Sequence, residues 1–158
     1  MCIRDRYISC LGIISCTRLA RYLHDKRQPG YEFLYGIPGT IAGAVSMNAG
    51  AFEKEIMPYV YSLDLLDKNG MIYTLKNNEM SFSYRTTNID KKSIIISVKL
   101  VKQATNFDMN LLNLLNQKRK ISQPINQLSC GCIFKKSSKD YAARLIDTAG
   151  LKLSLIHI

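Results

Sequence analysis

Residues 36–52, Gly-Ile-Pro-Gly-Thr-Ile-Ala-Gly-Ala-Val-Ser-Met-Asn-Ala-Gly-Ala-Phe, decide how the rest of this chain is read. Gly36, Gly39, Gly43 and Gly50 stand among small side chains, a density that lets backbone approach something closely instead of packing large groups. Gly36-Ile37-Pro38-Gly39-Thr40 reads as a turn whose glycines expose backbone N–H groups and which leads into a helix beginning at about Thr40. Unpaired amides and a helix dipole both favour phosphate, so the turn is expected to cradle an anion. On the residues alone, a tight structural corner describes the same string equally well.

Working outward, Thr17 to Lys26 places Leu19, Ala20 and Leu23 at helical spacing, and Gln28-Pro29-Gly30 stops that helix. From Tyr59 the pattern changes to strands. Residues 60–67 alternate, Lys68-Asn69-Gly70 is a hairpin signal, and residues 71–75 return. Ser93 to Val101, rich in Ile and Val, is a further strand. Asp108 is expected to be the N-cap of a helix with Met109, Leu112 and Leu115 on one face and Lys118, Arg119 and Lys120 at its C-terminal end; Ser122-Gln123-Pro124 ends it. Cys132 to Lys135 reads as a short strand. Lys139 to Ala149 reads as an amphipathic helix with Tyr141, Ala142, Leu145, Ile146 and Ala149 inward and Gly150 at C′. The shift from strands to helix-strand-helix near Lys102 to Asp108 marks a domain boundary.

With 47% hydrophobic and 22% charged residues, the composition is that of one soluble domain, or one domain and part of another. The longest apolar runs, Leu11 to Ile14 and Ile94 to Val98, fall far short of the roughly 20 residues that span a bilayer. A net charge of +10 could attract phosphate-rich ligands, nucleic acid or anionic membranes. The basic residues are scattered, with short clusters at Lys118-Arg119-Lys120, Lys91-Lys92 and Lys135-Lys136 and no stripe interleaved with aromatics. No nucleic-acid or membrane partner is therefore expected. Cys2, Cys10, Cys16, Cys130 and Cys132 are odd in number and lack framework spacing, which suits a reducing cytoplasm. His24 and His157 lie far from the Cys130-Gly131-Cys132 pair, so no metal site is expected. The end strings MCIRDR, Met1 to Arg6, and LSLIHI, Leu153 to Ile158, resemble translated sequencing adapter and are set aside from fold reasoning.

The string in residues 36–52 resembles the GIPGT-x-GGA-x-x-MNAGA segment of the UDP-N-acetylenolpyruvoylglucosamine reductase (MurB) family, which lies along the pyrophosphate of FAD. Glu32-Phe33 before it and Glu55-Ile56 after it match as well. Further matches follow in the family's order. Phe82-Ser83-Tyr84-Arg85-Thr86-Thr87 resembles F-x-YR-x-S, and Arg119 to Pro124 resembles R-x-x-x-QP. Ser129 to Lys135 resembles S-x-GS-x-FK, and Ala143 to Lys152 resembles A-x-LI-x-x-AGLK. Departures are Ala42-Gly43-Ala44 for GGA, Thr87 for Ser, Glu53 for Gly and Lys136 for the Asn of FKNP, a substrate contact. The family's N-terminal G-x-GSN flavin segment and its C-terminal catalytic Glu have no counterpart in these residues, so the chain alone is expected to bind FAD weakly or not at all and to be inactive.

The resemblance implies an α+β fold: residues 7–102 as part of an FAD-binding domain of the vanillyl-alcohol oxidase (PCMH) type, and residues 103–152 as the start of a C-terminal α+β substrate domain. It implies FAD contacts at Gly36, Ile37, Pro38, Gly39, Thr40, Gly43, Ala44, Asn48 and Gly50, and substrate contacts at Tyr84 and Lys136. In that family NADPH reduces FAD, and hydride then passes to C3 of the enolpyruvyl group of a UDP-sugar, giving UDP-N-acetylmuramate. The charge left at C2 spreads into the carboxylate, so a cation is needed there and a proton donor over C2. Arg85 is the expected cation. Cys132 is the expected proton donor, standing where the family has Ser, and a thiol near pKa about 8.5 yields a proton more readily than an alcohol. A monomer in the cytoplasm is expected. The alternatives are another FAD oxidoreductase of the same fold, or a basic nucleotide- or nucleic-acid-binding module without redox chemistry.

Overall fold

The computed structural model describes residues 1–3, 6–123, 134, 140 and 142–151. Met1–Gln123 and Pro124–Ile158 form two compact units. Along the first run β1 (Cys2–Ile3), β2 (Tyr7–Leu11), α1 (Cys16–Asp25), α2 (Ile41–Ser46), β3 (Gly50–Ala51), β4 (Lys54–Glu55) and β5 (Val60–Leu66). They are followed by β6 (Ile72–Lys76), β7 (Phe82–Ser83), β8 (Thr86–Thr87), β9 (Ile94–Val101) and α3 (Leu111–Ser122). Five strands form one sheet in the order β1-β2-β9-β5-β6 with every neighbouring pair antiparallel, while β3-β4 and β7-β8 are separate two-stranded ribbons. The mixed helix and sheet content expected from the sequence is observed.

Helix α1 starts because Ser15 accepts a hydrogen bond from the Arg18 amide at 3.2 Å, and it buries Cys16, Leu19, Ala20 and Leu23 at helical spacing. These pack with Ile8, Leu63, Leu65, Val98 and Leu100 of the sheet in one core. The hairpin between β5 and β6 closes where Asp67 accepts from the Asn69 and Met71 amides, each at 2.8 Å, and Gly70 takes φ 81°.

Within β9 the strand pairing skips Ile96: Asp64 faces Ser97 and Leu65 faces Ile95. This bulge lets Ile95 and Val98, which strict alternation would set on opposite faces, both be buried. It also frees the Ile96 carbonyl to accept from the Gly12 amide at 2.7 Å. A Cβ at Gly12 would lie 2.4 Å from the Ile95 carbonyl oxygen, so the chain can pass so close only as glycine. The segment it anchors leads directly to the functional site.

Helix α3 begins at Leu111, later than expected. Asp108 uses its carboxylate to cap a turn, accepting from the Asn110 amide at 2.8 Å, and leaves Met109 exposed. Leu112 and Arg119, seven residues apart on one helix face, are buried. In the second unit α4 (Ala142–Thr148) ends as expected, with Gly150 at φ 69° and the Leu151 amide donating to the Ile146 carbonyl. None of its residues is buried, and Leu145 and Ala149, expected inward, are exposed. Periodicity sets which residues share a face, not whether anything covers it. The strand expected at Cys132 to Lys135 and the inward Tyr141 lie outside the described residues, apart from Phe134, which is exposed. Among the described residues no helix is long and apolar enough to cross a membrane.

Candidate functional site

The glycine turn is stitched to the segment that precedes α1. Ile41 donates to the Ile14 carbonyl at 2.8 Å, Ala42 to the Gly12 carbonyl at 2.9 Å, and Cys16 to the Gly39 carbonyl at 3.1 Å. Thr40 caps α2, accepting from the Gly43 amide at 3.3 Å, and the Gly36 amide donates to Thr17 Oγ1 at 3.1 Å. The Ile37 amide donates to the Leu34 carbonyl. This corrects the expectation of a turn with open amides throughout: those of Gly36, Ile37, Ile41, Ala42 and Gly43 are occupied. Among the described residues, the amides of Gly39 and Thr40 remain without a partner. The reason is that α2 has six residues and its first turn is joined edge-on to the chain at Ser15.

Against this turn lies Arg119 of α3. The side chain crosses Gly36, where φ is 80° and an added Cβ would stand 2.8 Å from Arg119 Cδ. Its guanidinium carbon is 5.5 Å from the Phe52 ring centroid. Nη1 donates to Gln123 Oε1 at 3.4 Å, whereas Nε and Nη2 have no hydrogen-bond partner among the described residues. Arg119 is only 8% exposed, and this burial pushes its guanidinium below its ordinary pKa. A buried cation with two idle nitrogens beside a glycine turn is suited to an anion. Sequence reasoning gave Arg119 no site role, although its spacing from Leu112 places it on the buried helix face.

The second half of the glycine stretch builds the setting of Arg85. After α2 the chain turns through Asn48 at φ 45°, a left-handed conformation that Asn tolerates better than most residues. Asn48 is fully buried. Its amide nitrogen donates to Glu55 Oε2 at 2.7 Å and to the Ser83 carbonyl at 3.0 Å, while its oxygen accepts from the Met57 amide at 3.2 Å. One side chain thus ties together the end of α2, β4 and β7. Arg85 stands at the tip of the β7-β8 ribbon with φ 55°, and Thr87 Oγ1 docks the ribbon on the Ser46 carbonyl at 2.7 Å. Arg85 Nη1 donates to the Asn48 carbonyl at 2.9 Å and Nη2 to the Gly50 carbonyl at 2.8 Å. Glu55 Oε1 lies 3.8 Å from Nη1, and the Tyr84 ring centroid lies 4.9 Å from the guanidinium carbon.

A guanidinium carries five N–H donors, so two carbonyl contacts leave three for a ligand among the described residues. Such a group can receive a carboxylate without first being ordered. Of the residues expected to contact a cofactor, Pro38, Gly39 and Gly43 are exposed, and Gly36, Ile37, Thr40 and Gly50 are half-buried. Ala44 and Asn48 are buried, and the Asn48 amide is used inside the chain. The structure brings Tyr84 and Arg85 together beside the Asn48–Gly50 backbone, with Tyr84 exposed. Cys132 and Lys136 lie outside the described residues. Glu55 is the second residue without a role in the sequence analysis; its signal was the match of Glu55-Ile56 to the family pattern after the glycine stretch. Cys10 and Cys16 are buried, which pushes their thiols up to about 12 and about 11, so they remain protonated packing groups.

Gly50 sets how closely β3 and β4, the two strands of one ribbon, approach. A Cβ there would stand 2.1 Å from the Lys54 carbonyl oxygen and 2.9 Å from Glu55 Cα. Gly50→Ala is expected to displace the carbonyl that Arg85 holds and to destabilise the first unit by about 1–3 kcal/mol, the usual cost of overpacking. Urea unfolding followed by circular dichroism checks this; an unchanged midpoint would show that β3 and β4 separate freely.

No family model matches the chain. Among curated proteins, it is 36% identical over 138 residues to a UDP-N-acetylenolpyruvoylglucosamine reductase of Fusobacterium nucleatum, covering 87% of this chain and 49% of that protein. It is 40% identical over 126 residues to the protein of the same name from Caldanaerobacter subterraneus, covering 78% and 42%. A crystal structure of UDP-N-acetylenolpyruvylglucosamine reductase (MurB) from Thermus caldophilus superposes with a TM-score of 0.74 at 28% identity, covering 86% of this chain and 51% of that one. The chain therefore spans about half the length of the curated relatives it matches.

Proposed function

We propose that the chain, similar over the shared residues to UDP-N-acetylenolpyruvoylglucosamine reductases, belongs to that family and is part of an NADPH-dependent flavoenzyme. That enzyme reduces UDP-N-acetylenolpyruvoylglucosamine to UDP-N-acetylmuramate for peptidoglycan synthesis. In this reading residues 7–102 belong to an FAD-binding domain of the PCMH type and residues 103–152 begin the substrate domain. A cytoplasmic monomer goes with it. The carrying observation is Arg85, whose guanidinium is immobilised by two backbone carbonyls yet retains three donors.

The residues fit a phosphate-bearing cofactor. Among the described residues, the unpartnered amides of Gly39 and Thr40 and the idle Nε and Nη2 of buried Arg119 favour anionic oxygens. FAD, when bound, carries hydride from NADPH to the substrate. This chain's own residues do the rest. Arg85 binds the enolpyruvyl carboxylate with parallel N–H donors and stabilises the charge that grows there as C3 gains hydride. Tyr84, stacked beside the guanidinium, narrows the approach to it. The Cys132 thiol delivers a proton to C2, and Lys136 contacts the substrate.

The complete protein, obtained by extending the coding sequence in both directions, tests the reading. It is expected to purify with a flavin spectrum and to oxidise NADPH only when the enolpyruvyl substrate is present. A colourless protein that gains no flavin on reconstitution would sink the proposal.

A further inference from the structure

The arrangement around Arg85 contains a carboxylate that the proposed chemistry does not use. Glu55 is held at Oε2 by the buried Asn48 amide and faces Arg85 Nη1 with Oε1. That same Asn48 nitrogen holds the Ser83 carbonyl, two residues before Arg85 in the ribbon. Asn48 therefore fixes both the anion and the base of the strand that presents the cation. The Asn48 and Gly50 carbonyls order the Arg85 side chain, and Glu55, held by Asn48 and paired with Gly50 across β3 and β4, fixes the backbone that offers them.

We infer that Glu55, locked by Asn48, is a positioning residue that fixes the Arg85 guanidinium for an incoming carboxylate. The inference rests on the reading of Arg85 given above. Glu55 also makes a separate energetic contribution. Its charge offsets part of Arg85's and so weakens attraction for the substrate carboxylate, while its fixed position keeps the guanidinium aligned. Removing the charge should therefore leave substrate binding equal or tighter, while the loss of alignment slows turnover. A merely structural glutamate would not produce that split.

The test uses the complete enzyme and two variants, Asn48→Ala and the isosteric, uncharged Glu55→Gln. In ¹⁵N spectra of the parent, the Arg85 Nη1 and Nη2 signals are expected to be separate, because rotation of the guanidinium is blocked. In Asn48→Ala they should merge. In Glu55→Gln the flavin should be reduced by NADPH at the parental rate. Its reoxidation at saturating enolpyruvyl substrate should fall by about 10²-fold, the scale of an ångström of misplacement, while the substrate Kd stays equal or drops. Arg85 signals that remain separate in Asn48→Ala, a substrate Kd that rises in Glu55→Gln, or equal losses in both half-reactions would overturn the inference. If Asn48→Ala fails to fold, Glu55→Gln decides it. A parent that is never reoxidised by the substrate would instead overturn the functional proposal, and the Arg85 signals would still judge the positioning role.

Discussion

Arg85→Ala in the complete enzyme is expected to slow reoxidation of the flavin by the enolpyruvyl substrate by about 10²–10³-fold, the usual loss when a group that stabilises developing charge is removed. Reduction of the flavin by NADPH should stay near the parental rate, since no carboxylate gains charge in that step. The structure adds a second expectation. Arg85 also clamps the Asn48 and Gly50 carbonyls, so the alanine variant should unfold at lower denaturant concentration as well. Arg85→Lys separates the two duties: it keeps the charge but not the planar fork, and should recover less than the full rate because bidentate geometry is lost. Stopped-flow absorbance of the flavin resolves both half-reactions. If they slow by equal factors, Arg85 serves only to hold the loop.

Cys132→Ala is expected to leave reduction by NADPH intact and to slow the second half-reaction by about 10²–10⁴-fold, the range that general acid catalysis supplies. Cys132→Ser should keep substantial activity, because a hydroxyl at this place is what the family carries. The comparison is informative about pH. A thiol acid works while protonated, so parental activity in this step should decline as pH rises through the Cys132 pKa, about 8.5 if unperturbed, and Cys132→Ser should lack that decline. An alanine variant that reoxidises at the parental rate would leave Cys132 as a packing residue, like the buried Cys10 and Cys16.

Much of the scaffold is legible in the sequence. The spacing of Leu19, Ala20 and Leu23, the alternation in residues 60–67 and the Lys68-Asn69-Gly70 turn are local signals, and α1 and the β5-β6 hairpin fall within a residue or two of their expected places. Helix α3 starts at Leu111 and not after Asp108 because Asp108 is as good a turn former as a helix cap, and the two differ only in which amide its carboxylate meets. Of the inward face expected for α4, Ala142 and Ile146 are half-buried and Leu145 and Ala149 exposed, since burial depends on covering residues that spacing does not encode.

The candidate site divides along the same line. By itself the sequence marked Gly36, Gly39, Gly43 and Gly50 as places of close backbone approach, and its ordered motifs carried the family resemblance, since both are properties of residue identity along the chain. Only the tertiary structure decided which polar groups stay free. Five amides of the glycine turn are occupied by the Gly12–Thr17 segment and by Leu34 and Thr40, while Gly39 and Thr40 are left open. Asn48 turns inward to join Glu55, Ser83 and Met57, and Arg119, distant in sequence, crosses Gly36. Several of these outcomes depend on hydrogen-bond partners far apart in the chain, 19 positions at Gly36 and Thr17 and 41 at Thr87 and Ser46. A donor's availability is settled by which of those partners the packed core carries within about 3 Å, a distance that no local pattern of residues contains.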